Sequence, residues 1–443
     1  STDKGASWSQ ISDDLTTRDS AKMDQSNNGG LNVDITGAEN YCTIISIAPS
    51  ALKKDLIYIG TDDGKVQVTE NGGQSWIDLT KNIPGFPKGA WIPQIRTSSY
   101  NANEVFVVAN NYRQGDFAPY IFRSTDLGKT WTRMVDEKKV MGYALTVLQD
   151  PVEPNLVFVG TEQGFYVSLD NGATFQQWKN GYPSVSTYDF AIQDREADLA
   201  IATFGRSLWI LDDIRPLRRL AKNKGETFFV SAPPANINLS IKNSPYEWST
   251  WGMWSAPNRP TGLPITTYIT DSTKKVKVQI KDVQDSIIRN LTFKVDTGLN
   301  RNYWSFEQKG KRSAGAPKTG GGGRRMFDDE GPAAGGGEDD KEFTGREVLP
   351  GKYKIIVTGG TQKDSVNVEV KDDPRVASRV EVVAAQDKLL AKLQTTNDKY
   401  NAALDLLDDA DGILNGFKAE WKDKKDKSVD TLNKAHKVIS EKV

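Results

Sequence analysis

Two pairs of consecutive carboxylates, Asp62-Asp63 and Asp212-Asp213, are the side chains of this 443-residue chain best suited to acid–base chemistry. Glycoside hydrolysis needs two carboxyl groups facing each other across a bound sugar. Asp62-Asp63 runs straight into Gly64, and an aspartate in such a turn ordinarily builds the turn by accepting from backbone N–H groups. Arg96, Arg113, Arg123 and Arg206 could in principle grip an anionic sugar, yet no spacing picks out three of them. Trp248, Trp251 and Trp254 fall within seven residues and could stack on sugar rings or fill an internal interface. Arg113 and Asp116 belong to a long polar loop from Asn110 to Pro119, and Arg206 follows Gly205. Arg113, Asp116, Arg206 and the three tryptophans are the candidate binding residues, and no residue is singled out as catalytic.

Several chemistries drop out on composition. The single cysteine, Cys42, reads as a buried strand residue and excludes an intrachain disulfide or a cysteine-cluster metal site. The single histidine, His436, lies in a charged helical segment, so Ser-His-Asp catalysis has no support here. No metal and no cofactor is expected. A net charge of -1 gives no electrostatic case for nucleic acid. No run of about 20 apolar residues would span a bilayer, and no signal peptide is recognisable; Ser1 reads as an internal position or a processed end.

The elements that must position these residues announce themselves by repetition. Ser124-Thr125-Asp126-Leu127-Gly128-Lys129-Thr130-Trp131 has three further copies, beginning at Ser1, Thr69 and Ser168. The shared pattern is hydroxyl, Asp or Asn, Gly, hydroxyl, aromatic, carried by Asp3, Gly5 and Trp8; Asn71, Gly73 and Trp76; Asp126, Gly128 and Trp131; and Asp170, Gly172 and Phe175. The carboxylate or amide can accept from backbone N–H groups further on, Gly supplies a positive φ, and the ring buries apolar area. The run from Asp55 to Trp76 matches that from Asn155 to Phe175 almost position for position: strand, Gly-containing hairpin, strand, repeat motif. Glu104–Ala109 and Asp198–Thr203 open two more such units, the last without the motif.

The motif resembles the Asp-box, or BNR repeat, of sialidase-like and sortilin-like β-propellers. The resemblance implies that the box is a structural clip on a blade's outer turn, away from the binding face. The stretches Gly37–Ser50, Gly60–Gly64 and Gly205–Asp213 are similar to bacterial sortilin-like (VPS10-type) propeller proteins, often labelled glycosyl hydrolase, although Phe204 stands where that family usually has His. The expected fold is mainly β: residues 1–218 as the C-terminal blades of an Asp-box propeller, 219–372 as an Ig-like β-sandwich, and 373–443 as an α-helical hairpin. The sandwich expectation rests on period-two alternation in Lys275–Ile280, Lys352–Val357 and Ser365–Val370. It rests also on a resemblance of Gly298–Phe306 and Leu349–Tyr353 to the G-x-N-x-x-x-W and P-G-x-Y pattern of small Ig-like modules of secreted bacterial proteins. Residues 309–345, rich in Gly and charge, are expected to form a loop. The helices are expected to break at Asp408–Gly412 and to bury an apolar face built on Leu389, Leu390, Leu393, Tyr400, Leu404 and Leu407.

Because the first box would lead into an outer strand, Ser7–Ile11, whose inner strands are absent, the rest of the propeller is expected from an N-terminal segment of the same gene product. The functional expectation is a non-catalytic scaffold, secreted or at the cell surface, that binds a protein or peptide partner within a larger complex. The alternative is a surface glycoside hydrolase or glycan-binding protein.

Overall fold

A computed structural model describes residues 1, 3–23, 41–238, 260–310, 343–375, 380–420 and 427–440. The chain divides into two compact units, Ser1–Glu226 and Thr227–Val443. The fold is mainly β: a partial Asp-box propeller, an Ig-like β-sandwich and a C-terminal helical hairpin. No helix among the described residues is long and apolar enough to cross a membrane.

The first unit opens with a one-turn helix, α1 (Ser20–Met23), and then repeats a four-stranded antiparallel meander. Blade one is β1 (Ile44–Pro49), β2 (Ile57–Thr61), β3 (Val66–Thr69) and β4 (Ile77–Asp78). Blade two is β5 (Trp91–Thr97), β6 (Val105–Asn111), β7 (Asp116–Ser124) and β8 (Thr132–Arg133). Blade three is β9 (Ala144–Gln149), β10 (Val157–Thr161), β11 (Gly164–Ser168) and β12 (Gln176–Gln177). Blade four has three strands, β13 (Thr187–Gln193), β14 (Asp198–Thr203) and β15 (Leu208–Leu211), followed by helix α2 (Arg215–Lys222).

A middle strand of a blade is apolar on both faces because each face meets a neighbouring blade. In β6, Val105 and Val107 pack with Tyr58, Ile92 and Phe122 in one core cluster. Phe106 and Val108, pointing the other way, pack with Val147, Val157 and Tyr166 in the next. Period-two geometry therefore divides one unbroken apolar run between two cores.

The four boxes have one geometry. Asp126 Oδ1 accepts from Ser124 Oγ at 2.8 Å and from the Thr130 backbone N–H at 2.9 Å, and Oδ2 accepts from Thr130 Oγ1 at 2.6 Å. Asp170 repeats these bonds with Ser168 and Thr174 at the same lengths. Asp3 does so with Ser1 and Ser7. Asn71 accepts from Thr69 Oγ1 and the Ser75 N–H and donates its Nδ2 to Ser75 Oγ. The aromatic position is less uniform: Trp131 is 7% exposed, whereas Trp8 is 81% exposed. Ser7–Ile11 is not a strand, contrary to expectation. It makes no ladder bond, and its anchor is the Ile11 carbonyl, which accepts from Trp76 Nε1 at 3.2 Å. Cys42 is likewise not a buried strand residue; it sits half-buried at φ 64°, ahead of β1.

The second unit stacks two sheets, β16 (Phe228–Ser231), β18 (Leu263–Ile269) and β21 (Gly298–Trp304) against β17 (Ala235–Asn238), β25 (Gln362–Asp372), β24 (Gly351–Gly359), β19 (Lys275–Lys281) and β20 (Ile287–Lys294). Trp304 and Tyr353, the aromatic ends of the two Ig-like sequence patterns, meet edge to face at 5.7 Å in the shared core. The expected loop 309–345 is strand at both margins, where β22 (Glu307–Gly310) pairs with β23 (Phe343–Glu347); residues 311–342 lie outside the described residues. Helix α3 (Val380–Glu420) runs through Asp408–Gly412 without a break, and α4 (Lys427–Ser440) follows. One exposed helical Gly costs only about 1 kcal/mol, too little to end a helix of this length. The expected buried face is not buried either: Leu389, Leu393 and Tyr400 are exposed.

Candidate functional site

Strand order alone separates the boxes from the candidate chemistry. In blade one, β3 begins just after Asp62-Asp63-Gly64 and ends at Thr69, where the box begins. The β2–β3 hairpin and the box therefore sit at opposite ends of one strand. The same holds for Asn110–Gly115 against the Ser124 box, and for Glu162-Gln163 against the Ser168 box. All the hairpin ends share one face of the arc, away from the boxes.

A cleft of about 1060 Å³ opens on that face, walled by Asp62 and Asp63 on one side and by Trp91, Asn110, Arg113 and Gln114 on the other. Asp62 Oδ1 accepts the Thr43 backbone N–H at 2.8 Å, fixing the hairpin to the start of β1. Burial, reinforced by the neighbouring Asp63 charge, pushes its carboxyl up to about 6. Asp63 is held the other way. Burial opposes its ionisation, but donation from Thr17 and Thr61 outweighs this and keeps its pKa below the usual carboxylate range. Thr17 supplies both its N–H, at 2.7 Å, and its hydroxyl, at 2.6 Å, to Asp63 Oδ2. One turn thus carries a carboxyl that keeps its proton in mild acid beside a carboxylate that does not.

Across the cleft, the Arg113 guanidinium lies 3.9 Å from the Trp91 ring and 4.6 Å from that of Tyr112. Tyr112 in turn stacks on Tyr143 at 4.6 Å. Gln114 Nε2 donates to the Lys88 carbonyl, tying the β6–β7 hairpin to the wall before β5. Asn110 is buried, and its Oδ1 accepts no hydrogen bond among the described residues. A buried, unsatisfied amide oxygen in a cleft wall is an acceptor suited to a hydroxyl-bearing ligand. Further round the same face, Phe117 approaches Tyr143 at 6.3 Å, and exposed Tyr188 and Phe204 pair at 5.6 Å.

The sequence candidates fall into distinct places. Arg113 lines the cleft. Asp116 builds the hairpin beside it, accepting from Asn111 Nδ2, Tyr120 Oη and the Ala118 N–H. Arg206 is exposed in the β14–β15 hairpin, and its carbonyl accepts from Trp209 Nε1. Trp248, Trp251 and Trp254 lie outside the described residues. The arginines form no cluster: Arg96 pairs with Asp189 at 2.7 Å, Arg123 with Glu104, and Arg113 lies on its aromatic rings. Asp213 is buried at the box end of β15 and pairs with Arg215 at 2.8 Å, so Asp212-Asp213 lies away from the hairpin face. Among the described residues, no group of three or more His, Cys, Asp or Glu side chains could hold a metal ion. Trp91, Asn110, Tyr112 and Tyr143 had no motif to mark them; the only signal was the unusual length of the Asn110–Pro119 loop.

Comparison with known proteins bears on these features. No protein-family model matches the chain. It is 28% identical over 225 residues to xyloglucanase Xgh74A of Acetivibrio thermocellus, covering 48% of this chain and 25% of that protein. It is 27% identical over 230 residues to a xyloglucanase of Paenibacillus sp., covering 47% of this chain and 20% of that protein. The chain thus spans a quarter or less of the curated relatives it matches. Among solved structures, the GH74 enzyme of Niastella koreensis aligns with TM-score 0.29 and 15% identity over 60% of this chain and 32% of that one. An ancestral GH74 enzyme aligns with TM-score 0.31 and 14% identity over 58% and 33%. The matches to xyloglucanases overturn the expectation of a non-catalytic, protein-binding scaffold. That expectation took the structural role of the boxes as the role of the whole chain, whereas a box is neutral about what the opposite face does.

Proposed function

We propose that this chain is part of an extracellular glycoside hydrolase acting on a β-glucan of the xyloglucan type, with the hairpin face as its glycan-contacting surface. The observation that carries the reading is Asp62: a buried carboxyl, protonated in mild acid, in the wall of an open cleft on a chain similar to xyloglucanases. A glycosidic oxygen leaves only when protonated, and a carboxyl with a raised pKa is the group suited to deliver that proton. Asp62 is assigned the acid role. Burial chiefly keeps the Asp62 proton in place, helped by the charge of Asp63, which is ionised and hydrogen-bonded by Thr17 and Thr61. Two consecutive residues of one turn do not face each other across a sugar, so the second catalytic carboxylate is assigned to neither. Asn110 Oδ1 supplies an acceptor for a sugar hydroxyl, and Tyr188 with Phe204 offers an exposed aromatic platform for further rings.

β15 pairs only with β14 among the described residues, and its Leu208 and Ile210 side chains are exposed. We propose that further β structure of the whole protein completes this edge.

Affinity electrophoresis through gels containing xyloglucan, carboxymethyl cellulose or mannan tests the surface. Retardation by xyloglucan that is lost in Tyr188→Ala/Phe204→Ala is the expected result. Equal migration in all gels counts against the assignment.

A further inference from the structure

We propose that Arg113 is an anion-reading residue of the cleft, and that the glycan lodged there carries a uronic acid whose carboxylate docks on the guanidinium edge. This rests on the hairpin face being a glycan-contacting surface, and it narrows the substrate to acidic members of that class. The Arg113 guanidinium lies over the Trp91 ring at 3.9 Å and over the Tyr112 ring at 4.6 Å, and Tyr112 stacks on Tyr143. A guanidinium laid over rings keeps its edge N–H groups for a planar, bidentate acceptor. Arg96, Arg123, Arg215 and Arg218 each hold a carboxylate. Arg113 forms no ion pair and donates no hydrogen bond among the described residues. Its support is fixed. Tyr112–Gln114 is a 3-10 turn closed by Gly115 at φ 80°, and Gln114 Nε2 donates to the Lys88 carbonyl at 3.2 Å. Asp116 ties the next turn by accepting from Asn111, Ala118 and Tyr120. The fork therefore meets a ligand with little ordering left to do.

Charge and hydrogen bonding in the cleft indicate a sugar acid. The chain has a net charge of -1, yet Lys22, Lys65, Lys81 and Lys88 line this cleft together with Arg113. Lys65 pairs with Asp78 at 2.6 Å, whereas Lys81 and Lys88 have no carboxylate partner among the described residues. Asp63, in the same lining, is occupied by Thr17 and Thr61. A neutral glucan gains nothing from this field, and a carboxylate does. Asn110 separates a sugar acid from a simple anion. Its buried Oδ1, without a donor among the described residues, accepts a hydroxyl and repels a carboxylate. A uronic acid presents both groups on one ring. Trp91 sharpens the choice: with the guanidinium over it, that face of the ring is not open to stack on a neutral sugar.

Affinity electrophoresis of the whole protein compares xyloglucan with the same xyloglucan after oxidation of its primary alcohols to carboxylates. Wild type should bind the oxidised polymer about tenfold more tightly. Arg113→Gln should abolish that preference and leave the affinity for unmodified xyloglucan unchanged, which also shows that the variant is folded. Arg113→Lys, which keeps the charge but not the planar fork, should lose most of the preference. Wild type that binds both polymers equally, or a preference that survives Arg113→Gln, overturns the proposal and leaves the glycan surface standing. Binding of neither polymer overturns both.

Discussion

Gly128 lies so close to Leu79 that a Cβ on it would come within 2.4 Å of Leu79 Cδ1. The pair is one instance of a rule. Gly73 stands in the same relation to Ile11, and Gly172 to Met134. Ile11, Leu79 and Met134 each lie three residues after the aromatic that closes the preceding box. Each of these three boxes therefore does two things: its Asp or Asn clips its own turn, and its glycine packs against a residue of the preceding repeat, whereas Gly5 of the first box meets only its own Trp8. The repeat in the sequence is a record of this interlocking.

Gly128→Ala combines an overlap with Leu79 and a left-handed φ of 83°. It should cost about 2–4 kcal/mol of stability. Gly181→Ala is the control, since Gly181 has φ 70° but no atom within 4 Å of an added Cβ. It should cost about 1 kcal/mol. Urea unfolding of the two variants measures the difference; equal losses would mean that the Leu79 contact carries no weight.

The Asp126 carboxyl is held down to about 2 by donation from Thr130 and Ser124, and Asp3 by its own box to about 2. A carboxylate depressed in the folded state contributes stability that is present above its unfolded value, about 3.9. That contribution is lost as pH falls from there towards 2. Asp126→Ala should therefore lower Tm at pH 7 and narrow its gap to wild type below pH 3, with binding to xyloglucan unchanged. Calorimetry across pH gives the first result and affinity electrophoresis the second; lost binding at unchanged Tm would return the box to the functional surface.

Trp304 is almost fully buried in the sandwich core, against Tyr353 and Phe306, and donates its Nε1 to the Glu307 carbonyl at 2.9 Å. Trp304→Ala should destabilise the second unit by about 3–5 kcal/mol. Tryptophan fluorescence and far-ultraviolet dichroism during urea titration should show that unit's transition shift to lower denaturant while the propeller transition stays in place. A coincident shift of both would show the units to unfold as one.

Much of the architecture was legible because repetition and period-two patterns are local. The boxes, the near-identical Asp55–Trp76 and Asn155–Phe175 units and the Trp304–Tyr353 pair all register in the sequence. The site was less so. Asp62 and Asp63 are one residue apart and look alike in the sequence. What separates them is Thr17, 46 residues away, donating twice to Asp63 and not to Asp62. The Arg113–Trp91 contact likewise joins the β6–β7 hairpin to β5 and leaves no periodic trace. α3 misled in the opposite sense, because its apolar spacing is real but turned away from the core. Ser7–Ile11 misled because a well-formed box does not require a strand after it.

The most direct test of the assignment to Asp62 is the initial rate of xyloglucan depolymerisation against pH for wild type and Asp62→Asn. A general acid with a pKa of about 6 must be protonated to act, so the wild-type rate should fall as pH rises through 6. Asp62→Asn should lower the rate by about 10²–10⁴-fold without lowering Tm, since the amide oxygen still accepts the Thr43 N–H. Measured on the whole protein, undiminished turnover by Asp62→Asn, or a wild-type rate that does not fall as pH rises through 6, would contradict the account.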